Sequence, residues 1–195
     1  MTPLVWILVF ALYLAFWSWY VGFRAKIRPD EVEATMQLVR EQGFGTDKQR
    51  QALRRFLSED DGRDFVMVNL LHLREPRSAS REKLQTYQNI FLGQLLRKAG
   101  HPVFMARASS ANLENLACEA ADDWTAAAMV RYRSRRDLME MLPGTVGSEH
   151  HGLKLAALDK TFAFPAGRWF MFGGPRLSVG LVLLCGALVA ELLFA

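Results

Sequence analysis

The sequence predicts an α+β fold in which a domain of four strands and several helices lies between two transmembrane helices. Two uncharged stretches lie near the ends of the 195-residue chain, and the charged residues collect between them. In the middle, short apolar runs rich in β-branched residues alternate with longer segments whose apolar residues recur at helical spacing. The two cysteines, Cys118 and Cys185, offer neither a disulfide framework nor a zinc-ligand spacing.

The first uncharged stretch, PLVWILVFALYLAFWSWYVGF, is predicted to be a transmembrane helix over residues 3–23. It is long enough to cross a hydrocarbon core of about 30 Å, and its tryptophans suit the two membrane interfaces. A cleaved signal peptide is the alternative, but it requires positive charge before the apolar run and small residues at a cleavage site. Here Arg24, Lys26 and Arg28 follow the run, which favours an uncleaved anchor.

The second stretch, LSVGLVLLCGALVAELLFA, is predicted to be a transmembrane helix over residues 177–195. At a rise of about 1.5 Å per residue it is just long enough to span. Glu191 lies in its last turns, where the carboxylate either reaches the headgroups or is buried for a functional reason. Before this helix, residues 166–176 are expected to form an interfacial linker that carries Arg168 and Arg176.

Basic residues flank the middle domain at both of its membrane-proximal ends, and this predicts the orientation of the chain. The positive-inside rule places the domain on the cytoplasmic side of the inner membrane, with two spans and both termini outside. The formal net charge of +4 is mostly accounted for by these flanking residues. Since no segment resembles a nucleic-acid module, membrane lipid is the expected partner of this charge and nucleic acid is not.

Residues 24–63 are predicted to form a helical connector between the first span and the domain. The segment RPDEVEATMQLVREQG is typical of a helix, with Pro29 in its first turn and Gly43 at its end. The segment GTDKQRQALRRFLSEDDG is predicted to be a second helix, which is capped by Thr46 or Asp47.

Residues 64–165 are predicted to form the α+β domain itself. A strand, DFVMVNLLHL, is followed by a helix that is capped by Ser80 and ended by Gly100. PVFMARAS and WTAAAMVRYRS are the second and third strands, two helical pieces break at Pro143-Gly144, and FAFPAG is a short fourth strand. The order β-α-β-β-α-β is that of a ferredoxin-like domain, which has a four-stranded antiparallel sheet with both helices on one face.

The other face of such a sheet needs a cover, because it would otherwise leave apolar side chains in water. A second copy of the chain, a different subunit of a membrane complex or the connector helices could supply that cover. The sequence leaves these three alternatives open.

Three stretches, FVMVNLL, WTAAAMVRYRSRRDLMEML and EHHGLKLAAL, resemble the dimeric α+β barrel proteins, and most closely a family of unknown function among them. The resemblance covers residues 64–165 and implies a homodimer in which two sheets face each other. More distantly, the domain is similar to the small haem-degrading monooxygenases, whose site uses an asparagine on the first strand and a tryptophan and a histidine on the second helix. Asn69 and His151 match two of these positions, and Met141 stands at the tryptophan position. Haem is the cofactor that this second resemblance implies.

The candidate ligand-binding residues are Asn69, His151, Met141 and Arg131. Asn69 either points into a cleft between sheet and helix and binds a ligand, or it ties down a neighbouring backbone group or a dimer contact. His151 either faces that cleft or lies on the helix surface. It diverges from the adjacent His150 by about 100°, so the two are not a metal clamp. Arg131 could hold an anion, or it could be part of a solvated strand end.

These features predict a membrane-anchored accessory, assembly or small-ligand-binding subunit of a membrane complex, without enzymatic activity. The alternative is a haem-linked or cofactor-poor monooxygenase of the dimeric α+β barrel type, which rests on Asn69 and His151. The sequence contains no phosphate-binding loop, nucleophile elbow or carboxylate pair, and no metal site is expected.

A cysteine placed at Ser109, in a variant that lacks the two native cysteines, should remain unlabelled when intact cells meet a membrane-impermeant thiol reagent. The reason is the cytoplasmic location that the flanking basic residues predict. Permeabilised cells are the control, since the same cysteine should label readily in them. Ready labelling in intact cells would reverse the predicted topology.

Overall fold

The computed structural model describes residues 3–114, 116, 123–145, 148–167 and 173–194, and of residues 149, 150 and 194 it describes the backbone alone. Cys118, Arg168 and part of the predicted linker lie outside these residues. The chain divides into two compact units. We call Met1–Phe23 with Arg168–Ala195 the helix-pair unit, and Arg24–Gly167 the α+β unit.

Two apolar helices, α1 (Pro3–Val21) and α7 (Pro175–Phe194), form the helix-pair unit. By length and composition both are able to cross a membrane, with a mean hydropathy of 2.0. Only 6% of each apolar window is buried within the protein. This low burial separates both helices from the core helices of soluble domains, which are mostly buried.

Polar contacts at two places join α1 to α7. Trp6 donates its indole N–H to a carboxylate oxygen of Glu191 at 2.8 Å. Toward the other end, Tyr13 donates its hydroxyl to the carbonyl of Arg176 at 3.2 Å, and the Arg176 guanidinium lies 5.2 Å from the ring centre of Trp17. The two helices therefore run antiparallel, and the Glu191 carboxylate has a partner within the unit.

An open sheet of four strands is the centre of the α+β unit. The strands are β1 (Phe65–Leu73), β2 (His101–Arg107), β3 (Ala126–Tyr132) and β4 (Leu158–Ala166). Their order is β2-β3-β1-β4, and every neighbouring pair is antiparallel. The predicted α+β fold with a four-stranded antiparallel sheet is confirmed.

Helices connect the strands at two points. The helix α4 (Arg77–Arg97) joins β1 to β2, while α5 (Arg135–Met141) and α6 (Glu149–Ala157) lie between β3 and β4. The chain breaks at Pro143-Gly144, between α5 and α6, as the sequence predicts.

Two predicted boundaries are wrong. The strand β4 begins at Leu158 and not at Phe162, because buried Leu158 pairs with Leu73 and the alternating residues after it continue an edge strand along β1. Ser80 does not cap α4, since the helix already begins after Pro76. The Ser80 hydroxyl instead donates to the carbonyl of Arg74 at 2.7 Å.

The segment predicted to be a connector packs into the same compact unit as the sheet. It contains α2 (Pro29–Glu41), which ends before Gly43 at a φ of 63°, and α3 (Asp47–Ser58), which is capped by Thr46 as predicted. The apolar residues of these helices form a core with Met139 of α5. Its buried members are Ile27, Val32, Met36, Val39, Leu57 and Met139.

A second core joins the sheet to the helices. Phe65 of β1 stacks on Tyr132 of β3 with ring centres 5.1 Å apart. Phe56 of α3 meets the Phe65 ring edge-on at 5.0 Å, and Phe91 of α4 lies 6.4 Å from Tyr132. This row of rings connects α3, the sheet and α4 across the helix-covered face.

The opposite face of the sheet remains exposed. We call it the open sheet face, and its apolar residues are Val68, Leu70, Phe104, Met129, Phe162 and Phe164, which the strand register places side by side. Phe104, Phe162 and Phe164 are 48%, 56% and 42% exposed. The apolar residues of α2 and α3 pack against α5 and Phe65 instead, so these helices do not cover the face.

A cluster that we call the arginine clamp, Arg133, Arg135, Arg136 and Asp137, fastens the N-terminal part of the α+β unit to α5. Asp137 is 1% exposed and accepts two hydrogen bonds from Arg133 at 3.0 Å. It also accepts one from Arg24 at 2.9 Å and one from the Ser134 hydroxyl at 3.0 Å. A buried carboxylate is thus neutralised from both sides.

The other two arginines of the clamp reach backbone and carboxylate groups on distant segments. Arg135 donates to the carbonyls of Phe56 and Glu59 at 2.6 and 2.7 Å. Arg136 makes two bonds to the Glu31 carboxylate, at 2.7 and 2.8 Å, and these lower the pKa of Glu31 to about 2. The helices α2 and α3 are therefore held to α5 by polar as well as apolar contacts.

Asp137→Asn should destabilise the protein by about 3 kcal/mol, because it leaves the Arg133 guanidinium buried without its counter-ion. Asp61→Asn is the control: Asp61 forms an exposed pair with Arg63 and accepts the backbone N–H of the same residue. The amide oxygen of asparagine can keep that second bond, so loss of the charge should cost less than about 0.5 kcal/mol. Urea unfolding of the full chain in mild detergent, followed by circular dichroism, measures both. Equal losses in the two variants would contradict a stabilising clamp.

Candidate functional site

Asn69 lies near the middle of β1, opposite two alanines. Its cross-strand partners are Ala128 on β3 and Ala163 on β4. The side chain is half-buried, and its amide donates to the carbonyl of Met67 at 3.1 Å and lies 3.5 Å from the carbonyl of Ala128. These contacts fit the interpretation in which Asn69 ties down neighbouring backbone.

Met141 and Arg131 are both buried. Met141 is 4% exposed and belongs to the core that contains Phe65 and Tyr132. Arg131 is 1% exposed, and it donates to the Asp64 carboxylate and to the carbonyl of Ala99, each at 2.8 Å. These contacts fasten the start of β1 and the end of α4 to β3.

His151 lies in the first turn of α6, where Ser148 accepts a hydrogen bond from its backbone N–H at 3.2 Å. The ring is half-buried, with its centre 5.6 Å from that of Phe44. Its Nδ1 atom is buried and has no hydrogen-bond partner among the described residues. Burial, and secondly the charge of Lys154, lower the pKa of His151 below its ordinary 6.5, so the ring is neutral at pH 7.

The three residues implied for a haem site do not form one. The amide of Asn69 bonds to backbone carbonyls, the side chain at Met141 belongs to the core, and the ring of His151 packs on Phe44. These positions therefore do not fit a haem. In the described part of the chain, no group of three or more histidines, cysteines and acids could hold a metal ion.

A small cleft opens between α4 and the turn that leads into α6. Without the open solvent at its mouth, it has about 10 Å³ of space, which is room for about one water. Its lining residues are Tyr87, Ile90, Phe91, Gln94, Gly144, Thr145 and Ser148. Asn69 is not among them, whereas Ser148 links the cleft to the backbone of His151.

Lys154 of α6 does not line this cleft, but it lies near Tyr87, which does. Its ammonium is 5.9 Å from the centre of the Tyr87 ring, and the side chain is half-buried. None of the ion pairs formed by the described side chains includes Lys154. Burial lowers the pKa of Lys154 and raises the pKa of Tyr87 to about 12.

Reasoning from the sequence missed Lys154 and Tyr87. Tyr87 falls at helical spacing with Leu84 and Phe91, which is typical of an apolar helix stripe and gives no signal of a site. The available signal for Lys154 was its place in the run GLKLAAL, where no acid stands three or four residues away on either side. A lone lysine of this kind on an apolar helix has no local counter-ion.

The sequence matches no family model and no curated protein. Among solved structures, the crystal structure of RPA0582, a protein of unknown function from Rhodopseudomonas palustris, aligns with a TM-score of 0.51 at 17% identity. The alignment covers 65% of this chain and 96% of that one. The methylated form of RPA0582 aligns with a TM-score of 0.50 at 19% identity, covering 67% and 94%. At these identities the likeness shows the fold alone.

In His151→Gln, the free energy of unfolding should fall less between about pH 7 and about pH 5 than it does in wild type. Because the pKa of His151 is lowered in the folded state, the unfolded chain takes up the proton first as the pH falls. The stability that depends on the neutral ring is therefore fully present above about pH 6.5 and is lost as the pH falls through the folded pKa. Urea midpoints at about pH 7 and pH 5 measure the slope. Identical slopes in wild type and variant would contradict the lowered pKa.

Proposed function

We propose that this chain is a membrane-anchored, non-enzymatic accessory or assembly subunit whose ferredoxin-like domain pairs with a second copy through the open sheet face. The observation that carries the proposal is the exposed apolar surface of the sheet. The connectivity β-α-β-β-α-β and the strand order β4-β1-β3-β2 support the ferredoxin-like assignment.

The exposed residues of the open sheet face form one continuous surface. Met129 lies beside Val68 and Phe104, and Phe164 lies on the other side of Val68. Phe162 and Phe164 are 5.8 Å apart, ring centre to ring centre. Monomeric soluble domains rarely leave contiguous apolar patches of more than a few hundred Å² in water, so a patch of this kind marks an interaction surface.

A second copy is the proposed partner because a sheet face can be self-complementary about a two-fold axis. Such an interface contributes the same residues from both chains, which is the commonest arrangement in homo-oligomers. The resemblance to the dimeric α+β barrel proteins points to the same partner. A different subunit of a membrane complex is the competing occupant.

Membrane anchoring is supported by α1 and α7. Both helices are apolar and spanning in length, and large hydrophobic side chains such as Leu4, Phe10 and Leu192 are exposed on them. Lipid is the environment that would cover these side chains. The basic residues after α1 and around the start of α7 support a cytoplasmic α+β domain at the inner membrane.

The monooxygenase alternative has less support from the geometry. It rests on Asn69 and His151, whose side chains bond or pack elsewhere, and on the fold, which hosts many functions. The Nδ1 atom of His151, which has no hydrogen-bond partner among the described residues, is the observation that still favours a ligand near α6. Haem added to the full chain should give no saturable Soret band, and a band that Asn69→Ala and His151→Ala both abolish would favour the alternative.

Phe164→Asp should convert a dimer of the full chain into a monomer, because it places a carboxylate inside an apolar interface. Light scattering of the purified protein in mild detergent measures the mass. Leu96→Asp is the matched control: Leu96 is 52% exposed, but it lies on α4, outside the open sheet face, and this variant should remain dimeric.

Three outcomes would contradict the proposed pairing. A monomeric wild type would contradict the proposed homodimer. A second polypeptide that co-purifies with wild type but not with Phe164→Asp would identify a different subunit as the partner of this face. A dimer that persists in Phe164→Asp would place the contact outside the open sheet face.

A further inference from the structure

We propose that the Glu191 carboxylate, held beside Trp6 in the helix-pair unit, binds the primary ammonium group of a phospholipid headgroup. The inference rests on the membrane anchoring proposed above and is independent of the pairing through the open sheet face. It adds a binding site and a ligand class, because anchoring alone needs only the apolar surface of the two helices.

Glu191 lies on the side of α7 that faces α1. Ala187, one turn earlier, is 2% exposed, and Gly180, two turns before that, lies against the Tyr13 ring. The Glu191 side chain is half-buried, and one of its oxygens accepts the indole N–H of Trp6 at 2.8 Å. A charge that only reached for water would point away from the neighbouring helix. This carboxylate is instead held in place by a side chain of α1.

The helix-pair unit satisfies this carboxylate only in part. Its second oxygen has no hydrogen-bond or ion-pair partner among the described residues. In residues 3–12 and 186–194, the indole of Trp6 is the one side-chain N–H or O–H donor, and neither range holds a lysine, an arginine or a histidine. A carboxylate can accept about four hydrogen bonds. Since an unpaired charge at membrane depth is costly, a cation from outside the chain would stabilise it.

The depth of Trp6 and Glu191 indicates the source of that cation. Trp6 is the fourth residue of α1 and Glu191 is the fourth from the end of α7, so at a rise of about 1.5 Å per residue each lies roughly 5 Å from its helix end. In helices that just span a core of about 30 Å, this is the headgroup level, where tryptophans collect. A second copy has the same spans and adds no cation there. A phospholipid with a primary ammonium group brings both positive charge and N–H donors to this level.

Exposed leucines provide contacts for the acyl chains of such a lipid. Leu188 and Leu192 flank Glu191 on α7 and are 48% and 83% exposed, and Leu4, two residues before Trp6, is 73% exposed. The ligand therefore meets apolar surface beside the charged group. A choline headgroup carries the same positive charge but has no N–H group, so it cannot donate a hydrogen bond to the second oxygen. The site should distinguish these two headgroups.

Native mass spectrometry of the full chain in mild detergent, with equal amounts of phosphatidylethanolamine and phosphatidylcholine of identical acyl chains, tests this specificity. Wild type should retain phosphatidylethanolamine at least about threefold better, because only its ammonium donates a charge-assisted hydrogen bond. Glu191→Gln should retain the two lipids equally, since its amide still accepts the bond from Trp6 but carries no charge. Glu82→Gln is the matched control: it removes a carboxylate that is exposed on α4, and it should keep the wild-type preference.

Equal retention of the two lipids by wild type, or the same preference in wild type and Glu191→Gln, would overturn the proposal. A polypeptide that co-purifies with wild type but not with Glu191→Gln, without any lipid preference, would also overturn it, because the cation would then come from a partner helix. Flotation of wild type with vesicles of phosphatidylcholine alone tests the anchoring separately. A chain that floats but does not prefer phosphatidylethanolamine loses only this site, whereas a chain that does not float loses the anchoring as well.

A series of lipids on unmodified wild type covers the case in which Glu191→Gln does not fold. The monomethyl and dimethyl derivatives of phosphatidylethanolamine keep the positive charge and lose N–H groups one at a time, until phosphatidylcholine has none. Retention should fall along this series and be lowest for phosphatidylcholine, since each step removes a donor to the carboxylate. Retention that stays constant along the series would contradict a hydrogen-bonded ammonium. Phe164→Asp should give the same series as wild type, which separates this site from the pairing surface.

Discussion

The buried carboxylate of Asp137 is the interaction on which the α+β unit depends. It neutralises Arg133 beside it and Arg24 at the start of the unit, so it holds together two segments more than a hundred residues apart in sequence. Breaking such a pair leaves a charge without a partner in a medium that solvates it poorly. With α5 fixed in this way, Met139 and Met141 lie in the two cores, and the turn after α5 is placed beside α4. The small cleft between α4 and this turn results from that placement.

Much of the fold could be predicted because the signals are local. Gly43, Thr46 and Pro143 each set a helix end within a few residues of their own position. The apolar run of β1 predicts that strand directly. The beginning of β4 could not be predicted, because LDKT has polar residues that suit the edge of a sheet as well as the end of a helix. The partners of the arginines in RYRSRRD were equally hard to predict. Solvent, a bound anion or a buried acid can each pair with arginines in such a run. Only the folded chain shows that Asp137, Asp64 and Glu31 are the acids they meet.

The candidate site was harder to predict than the fold. Resemblance selected Asn69 and His151, but a side chain's role depends on what packs around it, and that is set by elements far away in sequence. Lys154 is difficult to recognise from the sequence for a different reason: what distinguishes it is that no described carboxylate pairs with it. The sequence shows that no acid is close along α6, yet only the packing of α4 shows that no acid arrives from elsewhere in the described part of the chain. The sheet thus separates two sides: one apolar and exposed, the other covered by helices over a core of aromatic rings.

The hydrogen bond between Trp6 and Glu191 has a consequence for the order of assembly under the proposed membrane anchoring. A carboxylate that enters hydrocarbon is costly unless it has a hydrogen-bond donor there. Because α1 precedes α7 in the chain, the indole N–H of Trp6 would already be in the bilayer when Glu191 arrives. On that proposal the first helix serves as the template for the second.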